Sequence, residues 1–348
     1  MDRIIECVPN FSEGRSRDII DAIAAAIQQG ENDAEYGKPY VKVLNIDPGE
    51  AANRTVITFA GDPESVVEAA FRGVRKAAEL IDMRKHQGAH PRSGATDVLP
   101  LVPISGVTLE ECADMARALA ERIYTELEIP CYCYEAAAYR PERKNLAVCR
   151  AGGYEALPEK MSDPVRKPDF GPGKYTERAA MAGAVNVGAR EILIAVNFNL
   201  DTTSTDVANE IAYVVREKGH PKRKDIKGLL KGCKALGWFI DEYGIAQVSM
   251  NITDITATPL HVAYDAVCKA AEAHGVRVTG TEIIGLVPER CLLEAGKHFL
   301  GRQNKSTEIP VAEIIATAIN SLGLDDLRPF EPREKVIEHL IEELEDND

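Results

Sequence analysis

Between Asp82 and Pro100 the chain reads DMRKHQGAHPRSGATDVLP, which sets His86 and His90 beside Arg84, Lys85 and Arg92. No apolar period runs through the segment, so it reads as a loop that gathers titratable and cationic groups. An imidazole takes up and returns a proton near neutral pH, and a guanidinium grips carboxylates through paired hydrogen bonds. Together they suit acid–base chemistry on an anionic substrate; the plain alternative is a run of solvated loop charges.

Other chemistries find less support. His86 and His90 are spaced as two metal ligands on a helix face would be, but Gly88 and Pro91 argue against a helix, and no Glu-bearing metal motif or thiolate pair lies nearby. We therefore expect no metal, and read Cys131 and Cys133 as core residues. Gly183 and Gly188 are read as flanking a loop that precedes a strand at Ile192, whereas a dinucleotide loop must follow a strand and open a helix. No phosphate-binding loop and no serine-hydrolase elbow is present. A second cationic stretch runs from Arg140 to Arg178, with nine Lys or Arg against six acids. Two cationic, glycine-bearing loops joining two sheets would make a cleft for a polycarboxylate, unless the second is an ordinary hydrated linker.

The elements that must position these groups follow from periodicity. The 348 residues, 45% hydrophobic and 28% charged, suit two packed globular units, and a net charge of −14 disfavours nucleic acid and anionic membranes as partners. MDRIIECVPN holds no signal-peptide core and no later run is long enough to span a membrane, so a cytoplasmic protein is expected, with its eight cysteines as free thiols. In the first half, strand patterns at Ile4–Val8, Val41–Ile46, Thr55–Phe59, Val98–Ile104 and Cys131–Tyr134 alternate with helical ones at Asp18–Ile27, Pro63–Leu80 and Leu109–Leu127. The second half repeats the order. Strands at Ile192–Asn197, Leu236–Ile240, Ala246–Ile252 and Val276–Val278 surround helices at Ser204–Val215 and Pro259–Ala273, and both halves leave their first strand through an Asn-Phe pair. We expect an α+β duplication of ferredoxin-like βαββαβ subdomains, spanning residues 1–181 and 182–330. Tyr139–Ala180 reads as a long irregular connection, and 331–348 as a helical extension ending in an acidic tail, EELEDND.

Seven motifs then carry a family resemblance: CVPNFSEG at Cys7–Gly14, NRTV at Asn53–Val56, HxGxHPRxGAxDV at His86–Val98, RAGGYEALPEK at Arg150–Lys160, DFGP at Asp169–Pro172, GWFIDEYGIAQVSMN at Gly237–Asn251 and GLVPERCLL at Gly285–Leu293. The chain resembles, from residue 1 to about Glu338, the formiminotransferase domain of the formiminotransferase-cyclodeaminase family, without the cyclodeaminase half. The resemblance implies two ferredoxin-like subdomains with a cleft between them, in a cytoplasmic homodimer of histidine and one-carbon metabolism. It implies transfer of a formimino group from N-formimino-L-glutamate to N5 of tetrahydrofolate, a co-substrate, with release of glutamate. It assigns catalysis to His90. Folate contacts fall on Gly171, Pro172, Gly173, Lys174, Tyr175, Thr176, Glu177, Arg178, Ala179 and Ala180. Arg92 is the first candidate for a substrate carboxylate, and Asp47, read in a turn before Pro48-Gly49, is a candidate for orienting His90 or the donor's amidinium. Ala89 stands where vertebrate members usually carry Glu, which removes a second acid from that step. Details of Lys174 to Arg178 also depart from the family pattern. Formyl transfer on the same scaffold, and folate binding without catalysis, are the alternatives.

Overall fold

The structure, a computed structural model, describes residues 3–29, 41–50, 53–88, 92–241 and 243–342. It divides into two compact units, Met1–Glu191 and Ile192–Asp348. Each is a sheet with helices, so the chain is α+β.

In the first unit, β1 (Ile4–Cys7) and β2 (Asn10–Phe11) form one interrupted strand between β4 (Arg54–Gly61) and β5 (Thr96–Ser105), antiparallel to both. At one edge β3 (Val41–Gly49) pairs antiparallel with β4. At the other, β7 (Val185–Ala189) runs parallel to β5 and to the outermost strand, β6 (Cys131–Glu135). Three helices supply the apolar face that covers this sheet: α1 (Arg17–Gln28), α2 (Pro63–Leu80) and α3 (Leu109–Leu127). Their starts are written in the sequence. Asp62 accepts a hydrogen bond from Ser65 N ahead of Pro63, and Thr108 and Glu111 close a reciprocal capping box. Ile23 and Ile27 of α1, Phe71 and Val74 of α2, and Leu119 and Ile123 of α3 pack with Ile5, Phe59 and Leu99 in one core. Removing such side chains from water supplies roughly 1.5–3 kcal/mol apiece.

The connection from Tyr139 to Ala180 is not the irregular segment that its Pro and Gly content implies. It holds three short helices, α4 (Leu146–Arg150), α5 (Leu157–Ser162) and α6 (Glu177–Ala182), anchored by Leu157 and Met161 in the interior. Each is too short to show an amphipathic period. The expected loop around Gly188 is likewise strand β7, buried throughout, and it joins the first sheet, so the first unit runs past the expected boundary at residue 181.

The second unit has the four-stranded antiparallel order β11-β8-β10-β9, from β8 (Ile194–Leu200), β9 (Cys233–Ile240), β10 (Ile245–Ile252) and β11 (Val278–Ile284). α7 (Thr205–Val215) and α8 (Leu260–Ala273) link them, and α9 (Glu289–Arg302) and α10 (Val311–Leu322) follow. Two last pieces, α11 (Pro332–Lys335) and α12 (Ile337–Glu342), bury Val336 and Ile337, while 343–348, nearly all of the expected acidic tail, lies outside the described residues. Seven of the eight cysteines are buried and Cys268 is half-buried, all as free thiols. No helix among the described residues is long and apolar enough to cross a membrane.

Candidate functional site

The polar groups of the first unit converge where β2, β4 and β5 begin. Asp97, fully buried in β5, accepts hydrogen bonds from Ser93 N at 2.8 Å, from Arg54 Nη1 at 3.0 Å and from Arg150 Nη2 at 2.8 Å. Arg54, the first residue of β4, also donates Nε and Nη2 to Asn10 Oδ1 at 2.8 and 2.6 Å. Asn186 of β7 donates to the Asp97 carbonyl at 2.8 Å. One carboxylate therefore holds two guanidiniums whose side chains stay only 15% and 18% exposed, a partly desolvated place. Burial, with Arg150 beside it, lowers the Arg54 pKa against the pull of Asp97.

Arg92 heads the adjoining cavity, of about 510 Å³, which Ala147, Arg150, Gly152, Gly153 and Glu155 also line. Its Nε donates to His86 Nδ1 at 3.2 Å, its Nη2 to the His86 carbonyl at 3.2 Å and its Nη1 to Glu155 Oε1 at 2.7 Å, while Cζ lies 5.7 Å from the Tyr154 ring. Since His86 Nδ1 accepts from Arg92, its Nε2 carries the proton and donates to the Asn53 carbonyl at 2.9 Å. His86 is thereby a buried strut. Burial works to raise the Glu155 carboxyl, but its own backbone N–H and the Arg92 guanidinium outweigh it and leave the pKa lowered. Gly152 and Gly153, at φ +78° and +63°, turn the chain so that Tyr154 N–H donates to the Arg92 carbonyl at 2.8 Å.

Tyr154 joins this cavity to the stretch expected to contact folate. Its hydroxyl donates to the Ala180 carbonyl at 2.6 Å and lies 3.5 Å from the Tyr175 hydroxyl. Lys174 and Gly173 are exposed, and Thr176 caps α6 by accepting from Ala179 N. Three members of the stretch are spoken for by the fold: Arg178 Nε donates to the Leu127 carbonyl, Glu177 pairs with Arg84, and Ala179 is buried. The residues just after the stretch are also sewn to the Arg92 loop by backbone bonds, Ala95 N to Ala182 O at 2.8 Å and Ala184 N to Ser93 O at 3.0 Å. At the crossing, a Cβ on Gly94 would lie 2.6 Å from Ala184 O, and one on Gly183 would lie 2.3 Å from Ser93 O, so both positions need glycine.

His90, together with Ala89 and Pro91, lies outside the described residues. Asp47 lies not in a turn but within β3, exposed and in register with Val56. β3 is an edge strand, where Pro48 breaks no ladder that matters, so the Pro-Gly signal does not end it. Sequence spacing passes over Arg54, Asp97 and Arg150 as a cluster. The signal lies in the motifs NRTV, GATDV and RAGGYEALPEK, each of which contributes one of them. Among the described residues no group of three or more His, Cys, Asp or Glu could hold a metal ion.

Residues 4–190 match the family described as "Formiminotransferase domain, N-terminal subdomain", and residues 195–342 match "Formiminotransferase domain". The chain is 43% identical over 341 residues to the formimidoyltransferase-cyclodeaminase of Rattus norvegicus, an alignment covering 98% of this chain and 60% of that protein. It is 41% identical over 300 residues to a glutamate formimidoyltransferase of Streptococcus pyogenes serotype M1, covering 86% of this chain and 94% of the relative. A glutamate formimidoyltransferase of Thermoplasma acidophilum is 41% identical over 299 residues, covering 85% and 92%. The chain thus spans about three fifths of the rat protein and nearly all of the shorter two.

Proposed function

The chain belongs to the formiminotransferase domain family, and from that premise we propose that it transfers the formimino group of N-formimino-L-glutamate to N5 of tetrahydrofolate and releases L-glutamate. The observation that carries this reading is the cavity between Arg92 and Arg150, cationic on an acidic molecule and tied through Tyr154 to the Tyr175–Ala180 stretch. Both substrates bear carboxylates, and guanidiniums held in a low-dielectric wall bind them well.

In the reaction N5 attacks the amidine carbon and gives up a proton, and the departing glutamate nitrogen takes one. We assign both transfers to His90, first as base and then as acid, a role typically worth about 10²–10⁴-fold. His86, the other imidazole of the motif, has its Nδ1 lone pair engaged by Arg92, which supports giving the role to His90. Arg92 and Arg150 would hold the donor's carboxylates, Asp47 the amidinium, and the exposed Gly173 and Lys174 with half-buried Tyr175 the folate. For the fold we read two ferredoxin-like copies. The antiparallel orders β3-β4-β1-β5 and β9-β10-β8-β11, each met in the sequence order βαββαβ, support that reading. Bacterial and archaeal relatives of similar length support a cytoplasmic enzyme, and the family resemblance is the support for a homodimer.

The test is glutamate release with tetrahydrofolate and either formimino- or formyl-glutamate. We expect turnover with the formimino donor; release from the formyl compound alone would move the chain to formyl transfer, and folate binding without release would remove catalysis. With the formimino donor, His90→Ala should lower kcat about a hundredfold or more and leave tetrahydrofolate affinity within a few-fold. Undiminished turnover would take His90 out of the chemistry.

A further inference from the structure

A second cavity, of about 350 Å³, shares Gly152 with the Arg92 cavity but is lined by other groups. Its buried part is made by Tyr132 of β6, 1% exposed, and Lys160 of α5, 3% exposed, with Arg143 and Cys149 beside them. Lys160 Nζ donates to the Cys149 carbonyl at 2.5 Å and lies 4.6 Å from the centre of the Tyr132 ring. The neighbouring cations are compensated: Arg143 by Asp169, and Arg166 by Asp163 and Glu159. Lys160 forms no ion pair with a carboxylate among the described residues. The Tyr132 hydroxyl, equally buried in the cavity wall, has no hydrogen-bond partner among the described residues. A buried ammonium and a buried hydroxyl are both costly in that condition, and a ligand that accepts from both would relieve them. Val148 and Val165, both exposed, also line the cavity, as do Ala151, Ala156 and the carboxylates Glu142 and Glu159.

We propose that this cavity binds a small organic carboxylate, its oxygens accepting from Lys160 Nζ and Tyr132 Oη and its apolar body lying against Val148, Val165 and the Tyr132 ring. Lys160 supplies the positive charge, the lining carboxylates Glu142 and Glu159 disfavour a multiply charged anion, and the apolar wall sets the shape, so a bare anion satisfies only half of the site. Burial, with Arg143 and Arg166 nearby, pulls the Lys160 pKa down to about 8. A bound carboxylate acts in the opposite sense and stabilises the ammonium, so binding takes up a proton in the alkaline range.

Isothermal titration of the full chain with benzoate, and separately with inorganic phosphate, tests this. We expect saturable benzoate binding, weakened about tenfold by Tyr132→Phe, lost in Lys160→Met and unchanged in Arg92→Lys. At about pH 8.5, heats measured in two buffers of different ionisation enthalpy should report proton uptake on binding. Should Lys160→Met fail to fold, Tyr132→Phe and the proton uptake of the unaltered protein decide the matter. Absence of benzoate binding, equal binding in Tyr132→Phe, or phosphate binding as tight as benzoate overturns the proposal. Transfer activity is not a readout here, so this site and the transfer reading stand or fall separately.

Discussion

Arg92 directs its guanidinium into three protein contacts, two on His86 and one on Glu155, of which only Glu155 is exposed. A substrate carboxylate can take the place of Glu155 without disturbing the other two. In Arg92→Lys the charge stays and the fork is lost; we expect the Michaelis constant for the formimino donor to rise roughly tenfold with kcat changed only a few-fold. An unaltered Michaelis constant would remove Arg92 from donor binding. Asp97 acts differently, as the buried counter-charge that lets Arg54 and Arg150 sit side by side. Asp97→Asn leaves two guanidiniums facing each other, and urea denaturation should show a loss of about 2–3 kcal/mol, the partial exposure of the arginines softening the full cost of a broken buried pair; a loss within experimental error would mean that solvent already screens them. Arg92 is legible in the sequence because its loop is cationic against an acidic chain. The Arg54–Asp97–Arg150 cluster is not, because strand pairing and a distant short helix bring together charges that no local period connects.

At the scale of elements, the long amphipathic helices and alternating strands are legible because each presents a repeating apolar face, as α2 does with Val66, Ala70, Phe71 and Val74. β7 shows no alternation, because parallel neighbours and covering layers bury both of its faces. Its glycine is there for space: a Cβ on Gly188 would stand 2.5 Å from the Tyr134 ring of β6. Gly188→Ala should therefore cost about 1–3 kcal/mol by overpacking, seen as a lower urea midpoint, and Tyr134→Leu in the same chain should recover part of it. Short helices α4 to α6 escape sequence reading for a related reason: one or two turns bury one or two side chains, which is no pattern at all.

Over the whole molecule, an excess of acid coexists with a half-buried carboxylate in the second unit. Glu338 of α12 accepts from Glu289 N at the start of α9, at 2.8 Å, and burial raises its pKa above the usual glutamate value despite hydrogen bonds that act the other way. A carboxyl raised in the folded state contributes stability that is complete below the ordinary glutamate range and is lost as pH rises through the raised value. The urea midpoint of Glu338→Gln should consequently fall less than that of the unaltered chain between about pH 4.5 and 7. Equal falls would mean that solvent reaches the carboxyl.

Crossing without side chains at Gly94 and Gly183, the Ser93–Ala95 and Ala182–Ala184 segments are laced together by main-chain bonds. One of them leads away from the proposed proton carrier, and the other follows the segment proposed to hold the one-carbon acceptor. Main chain alone thus sets the spacing between these two segments, so a substitution that trims a neighbouring side chain leaves that spacing in place.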